Sequence, residues 1–215
     1  MTEKIIIKAE RLTKQFGHFT ATDHITFEVR EGEIFGFLGA NGAGKTTAMR
    51  MLCGLSQPSD GWATVAGYDV ATQHEQVKQN IGYMSQKFSL YDDLTVEENF
   101  TLFGGIYGMS RKEMKEKTTR LLEELDFASE RKTKVKSLPL GWKQKLAFSL
   151  AIFHEPKIVF LDEPTGGVDP VTRRQFWELI YQAADRNITV FVTTHYMDEA
   201  EYCDRVSIMV DGKIE

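Results

Sequence analysis

Residues 39–46 read Gly39-Ala40-Asn41-Gly42-Ala43-Gly44-Lys45-Thr46, with Thr47 next. Glycines at the first, fourth and sixth positions let the main chain curl so that several N–H groups point inward, which suits a chain of phosphates. Lys45 would reach the β- and γ-phosphates, and the Thr46 hydroxyl would hold Mg²⁺. A tight strand-to-helix turn also uses glycine, but it needs no Lys-Thr pair at its end. The chemistry indicated is a nucleoside triphosphate site.

A second constellation lies far downstream. Ile158-Val159-Phe160-Leu161-Asp162-Glu163 is an apolar run ending in two carboxylates. A buried parallel strand delivers such acids to the ligand edge of an open sheet. There Asp162 would partner the Mg²⁺ touched by Thr46, and Glu163 would polarise an attacking water as general base. His195 follows another apolar run, Thr189–Thr194, and is expected at the same edge, in reach of a γ-phosphate. A structural histidine at a strand end is the other reading. Gln86, also after a strand, would join the metal–water shell.

Elements must carry these groups to one place. Ile34–Leu38 is a short apolar strand before the glycine loop, and the helix behind it has Met49, Leu52 and Cys53 for a packed face. That helix adds the positive end of its dipole to the phosphate site. Further strands are expected at Ile5–Ala9, Ile25–Val29, Ala63–Ala66, Ile81–Met84, 157–161, 189–193 and Arg205–Val210. From 87 to 154 the pattern turns helical. Thr95-Val96-Glu97-Glu98 and Ser110-Arg111-Lys112-Glu113 both fit a capping box. Behind the second, Met114, Thr118, Leu121, Leu122 and Leu125 form one stripe. A third helix from about Pro139 to His154 turns Leu146, Leu150 and Phe153 inward, and a fourth, 172–184, Phe176, Leu179 and Ile180. The whole is an α/β chain, with 1–86 and 155–215 as a nucleotide-binding core and 87–154 as a helical insertion.

The bulk numbers restrict the function classes. An apolar fraction of 42% and a charged fraction of 27% suit a chain that buries an ordinary core. A net charge of −5 argues against nucleic acid as a bulk partner. Cys53 and Cys203 lack metal-like spacing and read as small buried hydrophobes in a reducing compartment. The start, Met1-Thr2-Glu3-Lys4-Ile5-Ile6-Ile7-Lys8, has no secretory stretch, and nowhere is an apolar run long enough to cross a bilayer. If the function is membrane transport, this chain is not expected to supply the pore.

Taken in order, these elements resemble the ATP-binding subunit of an ABC transporter, over essentially the whole chain. The phosphate loop is 39–46, the glutamine loop is at Gln86, and the Walker B run is Ile158–Glu163. Pro164-Thr165-Gly166-Gly167-Val168-Asp169 resembles the family's D-loop, and Thr194-His195 its switch histidine. Phe16, in Lys14-Gln15-Phe16-Gly17, matches the aromatic that stacks on adenine, with core packing as the alternative. The stretch 90–99 is similar to the type-2 exporter branch, which includes multidrug exporters. The resemblance implies a P-loop NTPase (RecA-like) core with a small antiparallel β subdomain. It also implies MgATP hydrolysis that powers transport through separate transmembrane permease subunits. The chain would then be cytoplasmic, peripheral on the inner face of the plasma membrane. Two such domains, as a homodimer or a tandem or mixed pair, close head to tail on two ATP molecules, each completed by the partner's Leu-Ser-Gly-Gly-Gln signature.

Here the signature departs from that pattern: Leu138-Pro139-Leu140-Gly141-Trp142-Lys143-Gln144 keeps only Gly141 of the serine–glycine core. Pro139 has neither hydroxyl nor N–H to donate, although it suits a helix start. Leu140 crowds the approach that glycine allows. A weaker contact with the partner's ATP is expected, whereas Asp162, Glu163 and His195 remain for hydrolysis. DNA-repair and chromosome-structuring ATPases share the head but need a long coiled coil between the nucleotide motifs, and 87–154 has no sustained heptads. Translation factors of the type carry two heads and a charged linker. A regulatory ATP-binding half with weak hydrolysis stays open. The stop at Glu215 is expected to mark a short subunit or a piece of a longer or tandem chain.

Overall fold

The computed structural model describes residues 4–215; the segment 1–3, at the front of the stretch read as lacking a secretory signal, lies outside them. Two long strands, β1 (Ile5–Phe16) and β2 (Phe19–Arg30), pair antiparallel and are joined by β4 (Asp60–Val65) and β5 (Tyr68–Asp69) in a four-stranded sheet ordered β2-β1-β4-β5. Both long strands run well past their sequence-based bounds. Arg11 (φ 50°) and His24 (φ 53°) adopt left-handed backbone inside them, and the ladder slips register around Ala9–Leu12. Such irregularities break the alternation on which strand reading depends.

The central sheet is ordered β10-β9-β3-β8-β7-β6, from β3 (Ile34–Leu38), β6 (Ile81–Met84), β7 (Ile158–Asp162), β8 (Thr189–Thr194), β9 (Arg205–Val210) and β10 (Lys213–Ile214). All pairings in it are parallel except β10 with β9. Every residue of β3, β7 and β8 is buried, which is why these strands read as continuous apolar runs rather than alternating ones. On one face Phe35, Phe37, Phe160 and Phe191 form an aromatic layer. Phe27 of β2 lies against it, 5.8 Å from Phe35 and 5.5 Å from Phe37 between ring centroids, and so fastens the antiparallel sheet to the central one. The other face is covered by α5 (Leu140–Ala151) and α6 (Pro170–Asp185) through Phe148, Phe176, Trp177 and Ile180. Trp177 is buried, and Leu179 only partly so.

Helix α1 (Lys45–Leu52) follows the glycine loop and buries Met49 and Leu52, with Cys53 buried at its cap. A short α2 (His74–Asn80) buries only Val77 and has no apolar stripe, so it leaves no helical signal in the sequence. Helices α3 (Val96–Ile106), α4 (Arg111–Glu124) and α5 share a separate core of Val96, Phe100, Leu122, Leu146, Leu150 and Phe153. The capping box at Thr95 and Glu98 is complete. At Ser110 only half of it forms: the hydroxyl accepts from Glu113 N–H, while the Glu113 carboxylate lies 3.4 Å from Lys117. Pro139 is the N-cap residue of α5 rather than its first turn, so this helix starts without a side-chain cap.

Candidate nucleotide site

Parallel strands share one direction, so their carboxyl ends line a single edge. Register brings Leu38 opposite Thr194, Asp162 opposite Thr193 and Met84 opposite Leu161. The residues just beyond, the glycine loop, His195, Glu163 and Gln86, therefore converge although the chain separates them widely. Gly39 N–H donates to Thr194 O at 3.2 Å and pins the loop's start to the end of β8. Two loop glycines are required by space. A Cβ on Gly39 would sit 2.3 Å from Met209 O, and one on Gly44 2.2 Å from Ala21 O, both main-chain atoms that cannot yield. Gly42 differs: nothing lies within 4 Å, and its φ of +84° is its only demand.

Lys45 is 4% exposed. Its Nζ donates to Gly39 O (2.7 Å) and Ala40 O (3.0 Å) and lies 3.4 Å from Glu163 Oε1. Beside it, Thr46 Oγ1 donates to Asp162 Oδ1 at 3.0 Å. The acids at the tip of β7 thus meet the two residues that close the glycine loop. Glu163 itself has left-handed backbone (φ 46°). Its Oε2 accepts from Gln86 Nε2 at 3.2 Å and lies 3.2 Å from His195 Nδ1. That last contact is near enough for attraction but off the hydrogen-bond axis, so Nδ1 has no hydrogen-bond partner.

Residues the sequence did not disclose complete the site. Thr193, fully buried, donates to Asp162 Oδ1 at 2.8 Å, and its oxygen accepts from Glu163 N–H at 3.0 Å. One hydroxyl thereby fixes both acids. Nothing in the sequence marked it, because threonine inside an apolar run reads as strand filling. Gln144 of α5 donates through Nε2 to Pro164 O and ties the signature helix to the loop after Glu163. Behind the site, at β6 and the end of α1, burial first, then the Asp162 charge, push the Tyr83 hydroxyl up to about 12 and the Cys53 thiol well above its usual value. Burial, then Glu199, pushes Cys203 up to about 12 as well, so neither thiol ionises near neutrality.

The cleft in front of these groups holds about 420 Å³ and is lined by Asn41, Gly42, Lys45, Thr47, Gln86 and Phe19, among others. Phe16 is 55% exposed, which removes core packing as its purpose. It pairs across the β1–β2 turn with Phe19, and Lys14 Nζ lies 5.2 Å over its ring. Phe19 lines the cleft, with Phe16 as its partner across the turn. Ala40 and Asn41 are exposed and Ala43 is buried. Gly141 sits one residue into α5, where a Cβ would meet Thr172 Cγ2 at 2.9 Å, so it lets α5 approach α6 closely. The cleft is not distinguished by size. Another of about 390 Å³, bordered by Lys117, Arg120 and Ile188, lies elsewhere without a glycine loop or paired acids. Chemistry rather than volume makes the assignment.

A glycine loop between a buried strand and a helix, met by two acids from the tip of a parallel strand two places along the sheet, defines a P-loop nucleotide-binding fold of the α/β class. The sequence profile of the family described as "ABC transporter" matches residues 22–166, and the chain belongs to that family. It is 51% identical over 209 residues to the probable multidrug ABC transporter ATP-binding protein YbhF of Escherichia coli K12, covering 97% of this chain but 36% of YbhF. With the linearmycin resistance ATP-binding protein LnrL of Bacillus subtilis it shares 36% identity over 210 residues, 97% of this chain and 68% of LnrL. Among solved structures, an ATP-binding subunit of an ABC transporter superposes with a TM-score of 0.87 at 28% identity, covering 97% of this chain and 88% of the other. A dimeric bacterial ABC transporter cassette gives 0.87 at 25% identity, over 97% and 96%.

Proposed function

We propose that the chain binds MgATP at the 39–47 loop and hydrolyses it to drive transport, in the export direction, through transmembrane permease subunits. The reading rests on one observation: Lys45 and Thr46 stand in direct contact with Glu163 and Asp162. Names of the relatives add to it, since YbhF is called a multidrug and LnrL a linearmycin-resistance ATP-binding protein. The loop amides from Gly39 to Thr47 and the Lys45 ammonium bind the phosphates. Glu163 takes the proton of the attacking water, and His195, beside that carboxylate, contacts the γ-phosphate. The purine lies against the exposed aromatics of the β1–β2 turn, Phe16 and Phe19.

The residues present fit Mg²⁺. Thr46 and Asp162 offer hard oxygen donors already in contact, and Gln86 stands at the rim, which suits an ion that keeps several waters and shares the phosphates. Bound there, it would neutralise phosphate charge. This chain's own work is to keep the Asp162 carboxylate aligned through Thr46 and Thr193.

In this reading the permease is a separate partner; among the described residues no helix is long and apolar enough to cross a membrane. The chain works on the inner face of the plasma membrane, with 87–154 as the subdomain that meets the permease. The partner cassette is a second ATP-binding domain, in line with the dimeric relative. The signature helix contributes only Gly141 and its bare N-terminus to the partner's ATP, because Pro139 offers no donor and Leu140 stands 48% exposed at that end. Calorimetry with MgATP and a hydrolysis assay test the reading. Binding that is lost in Lys45→Ala, with turnover lost but binding kept in Glu163→Gln, is the expected outcome. No heat of MgATP binding to the unaltered chain would overturn it.

A further inference from the structure

Away from the phosphates, a buried chain of contacts joins the two sides of Glu163. The loop that follows this acid carries Thr165, 1% exposed, whose Oγ1 donates to Glu199 Oε1 at 2.5 Å. Glu199 lies in the short 3₁₀ turn 197–202 after His195 and is fully buried, and its second oxygen has no hydrogen-bond partner. Arg173, in the first turn of α6, faces it with Nε 3.7 Å from Oε1, and reaches Asp198 with Nη1 at 3.4 Å. The flat guanidinium covers the Tyr196 ring at 4.1 Å, and Tyr196 in turn lies 4.1 Å from the His195 ring. His195 then faces Glu163 Oε2. The path runs from the loop behind the acid, through Glu199, Arg173 and Tyr196, back to the histidine in front of it.

A fully buried carboxylate is costly unless a cation and donors compensate it. Glu199 has one hydroxyl and one arginine at a distance too long for a hydrogen bond, which is poor compensation for a purely structural pair. Its placement serves geometry better than stability. It holds both the loop after Glu163 and, through the arginine, the residue next to His195. We propose that Glu199, acting with Arg173, is a positioning residue that sets His195 and the loop after Glu163 at a fixed spacing on either side of the reacting phosphate. The proposal rests on the ATPase reading above. Neither residue borders the cleft, so their effect falls on rate more than on affinity, and displacement of a group by about an ångström costs on the order of 100-fold in rate.

The test uses Glu199→Gln and Arg173→Lys in the full chain. Glutamine keeps an acceptor for Thr165 but loses the charge, and lysine keeps the charge but not the planar face on Tyr196. Each is expected to lower kcat by about 10- to 100-fold, leave the calorimetric Kd for MgATP within twofold, and move the side-chain NMR resonances of His195. A kcat within twofold of the unaltered chain, a Kd that weakens in step with kcat, or unmoved His195 resonances would overturn the proposal. Should Glu199→Gln not fold, Arg173→Lys decides by the same criteria. An unaltered chain that binds but never hydrolyses MgATP removes the ATPase reading and this inference together, whereas failure of the variants alone leaves the ATPase reading standing.

Discussion

Replacing Thr193 by valine removes one hydroxyl from the centre of the site at nearly constant volume. That oxygen donates to Asp162 Oδ1 at 2.8 Å in a fully buried setting, a hydrogen bond to a charged group worth about 1.5–3 kcal/mol. Two circumstances limit the damage. Glu163 N–H keeps the Thr193 main-chain oxygen at 3.1 Å, so no buried donor is orphaned, and Asp162 keeps Thr46. The added methyl group returns under about 1 kcal/mol. The net loss is about 1–2 kcal/mol, a fall in Tm of roughly 2–8 °C for a chain of this size. Denaturation by urea should show a lower midpoint with an unchanged slope, since the surface exposed on unfolding is the same. Hydrolysis should need more Mg²⁺ for half-maximal rate, because Asp162 is less well held. An unaltered urea midpoint together with an unaltered Mg²⁺ requirement would refute the claim that Thr193 sets the acids.

The loop glycines separate in cost: Gly42→Ala meets only the left-handed penalty of about 1–2 kcal/mol, whereas Gly44→Ala adds a main-chain clash worth about 1–3 kcal/mol more. Equal thermal shifts for the two would contradict the crowding at Ala21 O. Burial lowers His154 from 6.5 to about 4, against a smaller opposing pull from its hydrogen bond to Ile81 O. The unfolded chain therefore binds the proton first. The contribution of the neutral ring is complete above about pH 6.5 and is lost as pH falls toward 4, by about 1–2 kcal/mol at pH 5. Urea midpoints of His154→Gln should fall less steeply between pH 6.5 and 5 than those of the unaltered chain; parallel profiles would count against it. Finally, Pro139→Ser with Leu140→Gly is expected to raise ATP-dependent dimerisation and turnover several-fold, read by gel filtration and phosphate release. No change in either would show that the bare helix end already suffices.

Much of the site was legible in the chain because its chemistry is local. Curvature at Gly39, Gly42 and Gly44, the charge of Lys45 and the hydroxyl of Thr46 act within one turn, and a run such as Ile158–Leu161 announces a buried strand whose end must carry Asp162 and Glu163 to an edge. The same logic found the helices at 96 and 111 through their capping residues. It failed where the signal was short or irregular: α2 buries a single residue, β1 and β2 continue through left-handed positions at Arg11 and His24, and the second capping box is half made, with the Glu113 carboxylate beside Lys117 instead.

What the fold alone decided concerns partners across sequence distance. No spacing rule tells that the Thr193 hydroxyl serves Asp162 and Glu163 together, that Phe19 lines the cleft, or that Gln144 grips Pro164. Residue type and periodicity fix which groups exist and which face they occupy. Which of them touch depends on the register of parallel strands joined by long crossovers, a register in which Phe35 and Phe191 stand opposite each other within one aromatic layer.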